Sequence, residues 1–138
     1  MATMTRNVMS GEVQVANGHE TVLDAAKKLA RENIGAMPIC DPNGQLTGMI
    51  TDRDIVVKVI AQGRDPARTT VAEIAEGEPV TVRADDSIET AMQKMSENQV
   101  RRLPVMDGDK LVGMVSQADL AKALPEQKAG KMVEDISK

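Results

Sequence analysis

Apolar residues recur along this chain with two spacings, and the alternation between them is itself repeated. Val22, Ala25, Ala26, Leu29 and Ala30 stand three or four residues apart or adjacent, the pattern of one helix face. Ile88, Ala91, Met92 and Met95 repeat it in the second half. Each run follows a short strand-like segment, Val13-Gln14-Val15 or Val80-Thr81-Val82. Each is followed by two apolar stretches joined by a turn. The turns contain Asn43-Gly44 and Asp107-Gly108, dipeptides that supply the positive φ a hairpin needs. A second helix is predicted over residues 52–62 and 117–124, with Gly63 and Pro125 as stop signals. Thr21, and either Asp86 or Ser87, suit the N-cap position. Asp86-x-x-Glu89 and Thr70-x-x-Glu73 suit capping boxes.

The chain is therefore one unit written twice. Gly48-Met49-Ile50-Thr51-Asp52-Arg53-Asp54 returns as Gly113-Met114-Val115-Ser116-Gln117-Ala118-Asp119, an offset of 65. Pro38 returns as Pro104, an offset of 66, so the first hairpin loop is longer by one residue. Each copy reads β-α-β-β-α, and a copy of this size alone is marginal. The expected fold is α/β (α+β), with two pseudo-twofold-related copies packed sheet to sheet. The expected division is a first copy with its lead-in over 1–66, a second over 67–125, and a polar, fraying tail over 126–138. Residues 63–69 read as the linker.

Composition narrows the chemistry. Of 138 residues, 17 are Lys or Arg and 21 are Asp or Glu, a net charge of −4. The 41% hydrophobic content is enough for a packed core, yet Phe, Tyr and Trp are all absent, so Val, Ile, Leu, Ala and ten Met must build it. Without aromatics, base stacking is excluded, and the acidic balance argues against tracking a phosphate backbone. No nucleic-acid partner is expected. One Cys and one His, Cys40 and His19, cannot make a disulfide or a His/Cys zinc site. No apolar run reaches the roughly 18 residues of a membrane span, and no signal-peptide stretch opens the chain. The expectation is a cytoplasmic protein with no membrane association. No nucleophile–base pair and no phosphate-binding Gly-Lys loop is present, so an enzyme is not expected.

The doubled Gly-apolar-apolar-Thr/Ser-x-x-Asp motif, each copy preceded by an apolar-Pro-apolar strand and a glycine turn, resembles a tandem pair of CBS (cystathionine-β-synthase-type) domains. The resemblance covers residues 5–124. Met9-Ser10 is similar to the family's lead-in to its first strand, whereas Ala75-Glu76 departs from it. Membership implies a regulatory ligand-binding module, often for adenosine nucleotides and usually dimeric. It does not name the ligand.

Two readings of the motif stand side by side. Thr51 and Asp54 can cap a helix start, as can Ser116 and Asp119. The same groups can bind a nucleotide, the hydroxyl donating to phosphate or ribose and the carboxylate accepting ribose hydroxyls. Arg53 can fork onto phosphate oxygens. Its counterpart is Ala118, so the second copy lacks that cation. Arg101 and Arg102 occupy positions where the resemblance implies basic residues facing a central cleft. Adjacent residues of an extended segment point to opposite faces, which favours one of them, Arg102. The other reading is a solvated surface pair. Met37, Pro38, Ile39 and Pro104 are candidate walls for an adenine ring, or simply core. Cys40 is a buried small apolar residue, a free thiol or a redox contact.

The expected function is a stand-alone regulatory module with no required cofactor. It would bind AMP, ADP or ATP in the cleft between copies and pass that state to an unidentified protein partner. A homodimer burying the helices of both copies is expected. The alternative is a structural or stress-response interaction protein that keeps the fold without binding nucleotide.

Overall fold

A computed structural model describes residues 3–75, 77–124 and 126–136 of the chain, with side chains except at 126–129. Two compact units result, each a three-stranded sheet with helices. The middle unit spans Gln14–Pro79. The outer unit joins Met1–Val13 to Val80–Lys138.

In the middle unit, β1 (Ala16–Asn17) pairs parallel with β2 (Ala36–Cys40), and β2 pairs antiparallel with β3 (Leu46–Thr51). Helix α1 (Val22–Glu32) joins β1 to β2 and buries Val22, Ala25 and Leu29. Thr21 Oγ1 accepts from the Asp24 N–H, the expected cap. After β3 come α2 (Asp52–Ile55) and a π-helical turn, Val56–Ile60, marked by the Ala61 N–H donating to Val56 O at 2.8 Å. The linker packs onto the start of α1: the Val22 N–H donates to Thr69 O and the Leu23 N–H to Pro66 O. These bonds satisfy donors that a helix start leaves free. A short α3 (Val71–Ile74) follows, and the Thr70 N–H donates to Glu73 Oε2 at 2.6 Å. That bond is the main reason the exposed Glu73 carboxyl is held below its ordinary pKa.

The outer unit repeats the plan with β4 (Val82–Arg83), α4 (Ile88–Asn98), β5 (Arg102–Asp107), β6 (Lys110–Ser116) and α5 (Gln117–Ala123). Its cap is Ser87, whose Oγ accepts from the Thr90 N–H. Asp86 does not form the expected box with Glu89, because its Oδ2 takes the Arg83 N–H instead. The predicted stop at Pro125 lies outside the described residues.

Three expectations change. First, both opening strands are short and displaced toward the C-terminus. Ala16 pairs with Ile39 and Val82 with Val105, so the next residue back in each ladder would meet Pro38 or Pro104. Proline has no N–H to give, and the ladder stops there. Second, the tail does not fray. Residues Glu126–Ile136 form α6, which buries Met132 and Ile136 in the outer unit's core. The spacing of four puts both on one face, enough to bury against α4 and α5. Third, the lead-in does not stay with the first copy. The Thr5 N–H donates to Asp86 O, and Ser10 and Met114 exchange backbone bonds at 2.8 and 3.0 Å. In the middle unit the second copy's lead-in takes the equivalent place, with Ala75 against Gly48. Each sheet is thus finished by the other copy's lead-in.

Candidate functional site

Each copy folds its motif into a corner where a strand becomes a helix. In the first, the Asp52 N–H donates to Gly35 O at 2.9 Å, and Ala36 pairs with Thr51 across the strands. Thr51 Oγ1 accepts from the Asp54 N–H, and the Thr51 N–H donates to Asp54 Oδ2, both at 3.0 Å. Asp54 Oδ1 lies 3.3 Å from Lys58 Nζ. In the second, the Gln117 N–H donates to Arg101 O at 2.8 Å, and Arg102 pairs with Ser116. Ser116 Oγ accepts from the Asp119 N–H at 3.1 Å, and the Ser116 N–H donates to Asp119 Oδ2 at 2.9 Å.

The capping role is therefore realised in both copies. It holds each hydroxyl and carboxylate in one fixed arrangement and occupies one oxygen of each carboxylate in the box. The second oxygen differs between corners: Lys58 stands by that of Asp54, while Asp119 forms no ion pair among the described residues. Arg102 is half-buried on the strand beside Ser116, while Arg101 and Arg53 are exposed. None of these three arginines forms an ion pair among the described residues, so the solvated pair bonded to acidic neighbours is not what is seen.

The apolar candidates sit deeper. Met37 and Ile39 are 0% and 2% exposed and belong to the middle unit's core, and Pro38 and Pro104 are also buried. Sequence reasoning passes over Gln117, which enters it only as the replacement for Asp52. Its Nε2 is shut off from solvent with no acceptor among the described residues. A buried donor left unpaired costs about 1–3 kcal/mol, so this amide is a feature of the second corner that an added acceptor would relieve.

Cys40 is buried at the end of β2. Burial pushes its thiol pKa up, and the neighbouring Asp41 charge adds to the shift. The thiolate is the reactive form, so the folded protein should alkylate several-fold more slowly than the protein in denaturant at mildly alkaline pH. Equal rates followed by mass spectrometry would show the thiol to be accessible. Among the described residues, no group of three or more His, Cys, Asp or Glu side chains could hold a metal. None of the described helices is long and apolar enough to cross a membrane.

Comparison with known proteins gives a consistent picture. The CBS domain family model matches residues 5–61 and 71–126. Hypoxic response protein 1 of Mycobacterium tuberculosis is 42% identical over 134 residues, 97% of this chain and 94% of that protein. The crystal structure of Hypoxic Response Protein I, which holds two coordinated zinc ions, matches with a TM-score of 0.82 at 43% identity, over 89% of this chain and all of that one. The CBS domain pair of MJ0100, solved with 5′-methylthioadenosine and S-adenosylmethionine, matches with a TM-score of 0.80 at 30% identity, over 95% and 99% of the two chains. A hexameric CBS-CP12 protein from bloom-forming cyanobacteria matches with a TM-score of 0.77 at 25% identity, over 99% and 97%. None of these carries an enzyme's name. With two matched domains, a twice-built corner and a fold shared along most of its length, the chain belongs to the CBS-domain family as a tandem pair.

Proposed function

We propose that this CBS pair is a regulatory module, without catalysis, that binds an adenosine nucleotide through its two strand-to-helix corners. The ligand class is AMP, ADP or ATP. Thr51, Arg53 and Asp54 serve one corner, and Arg101, Arg102, Ser116 and Asp119 the other. Exposed edges of the segments around Met37, Pro38, Ile39 and Pro104 supply apolar contact to the base. The module works in the cytoplasm as a homodimer and hands its ligand state to a protein partner.

The observation that carries this reading is the second corner. Ser116 and Asp119 are locked by their mutual bonds, Arg102 stands across the strand from Ser116 without an ion pair among the described residues, and the Gln117 amide lacks an acceptor there. A carboxylate for ribose hydroxyls, a guanidinium for phosphate and a spare donor make a complementary set. The adenosine compounds held by the MJ0100 pair support the class.

One observation favours a second reading, an interaction protein that keeps the fold and binds no nucleotide. The first corner's Asp54 is engaged by both its cap and Lys58, and Met37 offers no surface at all. Calorimetry with AMP and adenosine, on the native protein and on Arg102→Ala, separates the two. AMP should bind more tightly than adenosine, and Arg102→Ala should remove about 10- to 100-fold from AMP alone, the weight of a charged hydrogen bond of roughly 1.5–3 kcal/mol. Equal losses for both ligands would make Arg102 a structural residue. No binding of any adenosine nucleotide at millimolar concentration would hand the case to the second reading.

A further inference from the structure

The two copies differ most on one helical face. In the second copy, α6 lies across α4 and α5, with Met132 and Ile136 in the same core as Ala91, Met95 and Leu120. Gln99, the left-handed residue that ends α4, donates from Nε2 to Asp135 O at 3.1 Å. Its counterpart Asn33 ends α1 in the same conformation, but it lines an open hollow of about 460 Å³. Ala26, Ala30, Ile34, Ile55 and Val56 share that wall. Near the hollow, Val56, Val57 and Ile60 are 57%, 44% and 57% exposed. The positions equivalent to Val56 and Val57 hold Ala121, half-buried against the outer core, and Lys122, exposed. One copy thus carries an apolar ridge beside an apolar hollow. The other carries a covering helix and a lysine.

We propose that the bare face of the first copy is covered by the same face of a second copy of this chain, in a twofold pair from which α4 and α5 are excluded. This deepens the homodimer reading above and rests on it, and it departs from the expectation that the helices of both copies are buried. Ridge and hollow lie on one surface, so a twofold axis sets each ridge into the other chain's hollow. The exposed Asp52 and Arg53 at the edge of this face carry opposite charges, so like faces meet without net repulsion even though the chain carries −4. The ridge alone exposes a few hundred Å², short of the roughly 800 Å² per partner of a standard interface. A partner must therefore fill the hollow as well, which a matching face does.

The test is sedimentation equilibrium with interference optics on the full chain, with far-UV circular dichroism to check folding. The native protein should dimerise at micromolar concentration. Val57→Lys, which copies Lys122, and Ile60→Glu should each weaken the dimer at least tenfold while leaving the dichroism unchanged. Val133→Lys, on the exposed side of α6, should leave the dimer intact. A native dimer that survives both first-copy variants overturns this interface and leaves the homodimer reading standing. So does a dimer split by Val133→Lys alone. A native protein still monomeric at about 100 μM, well above the micromolar dissociation constant expected of the pair, overturns both. Since the two first-copy variants alter exposed positions independently, unfolding of one leaves the other to decide.

Discussion

Gly113→Ala should destabilise the protein by about 1–3 kcal/mol, the usual cost of forcing extra volume into a packed site, whereas Gly48→Ala should cost little or nothing. The two glycines hold the same place in their repeats. A methyl group built on Gly113 would sit 2.6 Å from Ser10 O and 2.6 Å from Met9 Sδ. Met9 can swing away, but the Ser10 carbonyl is fixed by its bridge to Met114. The lead-in must then lift, and two backbone hydrogen bonds stretch with it. At Gly48 the nearest atoms are Ile39 Cδ1 at 3.5 Å and Ala75 Cβ at 3.7 Å, ordinary contact distances. Removing glycine's freedom from the unfolded chain also favours the alanine there by about 0.4–1 kcal/mol. Thermal unfolding followed by circular dichroism would read the contrast, since the chain has no Trp or Tyr to report by fluorescence. Equal shifts at both sites would mean that the lead-in is not seated against Gly113.

Met132→Ala should cost more, about 2–5 kcal/mol as for other large buried side chains cut to alanine. Met132 is 1% exposed and belongs to the core that includes Val82, Leu103 and Leu120. The neighbouring Val133 is 45% exposed, so Val133→Ala should stay within about 0.5 kcal/mol. Urea midpoints for the pair measure the difference. A near-zero effect at Met132 would return the C-terminal segment to the status of a loose tail.

Legibility follows the range over which each signal acts. The repeats, α1 and the hairpins are readable because local chemistry decides them: Thr21 caps its own helix, and Gly44 and Gly108 take the positive φ their turns require. The opening strands are misread because their partners decide their length, and the partner residues are Pro38 and Pro104. The segment 126–136 reads as polar because Met132 and Ile136 are few among charges, although their spacing of four is the available clue. Of the candidate site, the two corners are visible as Thr/Ser-x-x-Asp. The isolation of the Gln117 amide is not, since it depends on which groups stand around it in space. Nor can a pattern along the chain reveal which sheet a lead-in will join.

That exchange of lead-ins sets an order of events during synthesis. The middle unit, Gln14–Pro79, is continuous and has every partner it needs once α3 has left the ribosome. The outer unit is not. Residues 3–13 emerge before any of it, yet Thr5 waits for Asp86 and Ser10 for Met114. On a ribosome adding about 5–20 residues per second, the first segment made spends several seconds unpaired and is among the last to be placed. The latter half of the chain folds onto its own beginning, and the two ends of the protein are committed together.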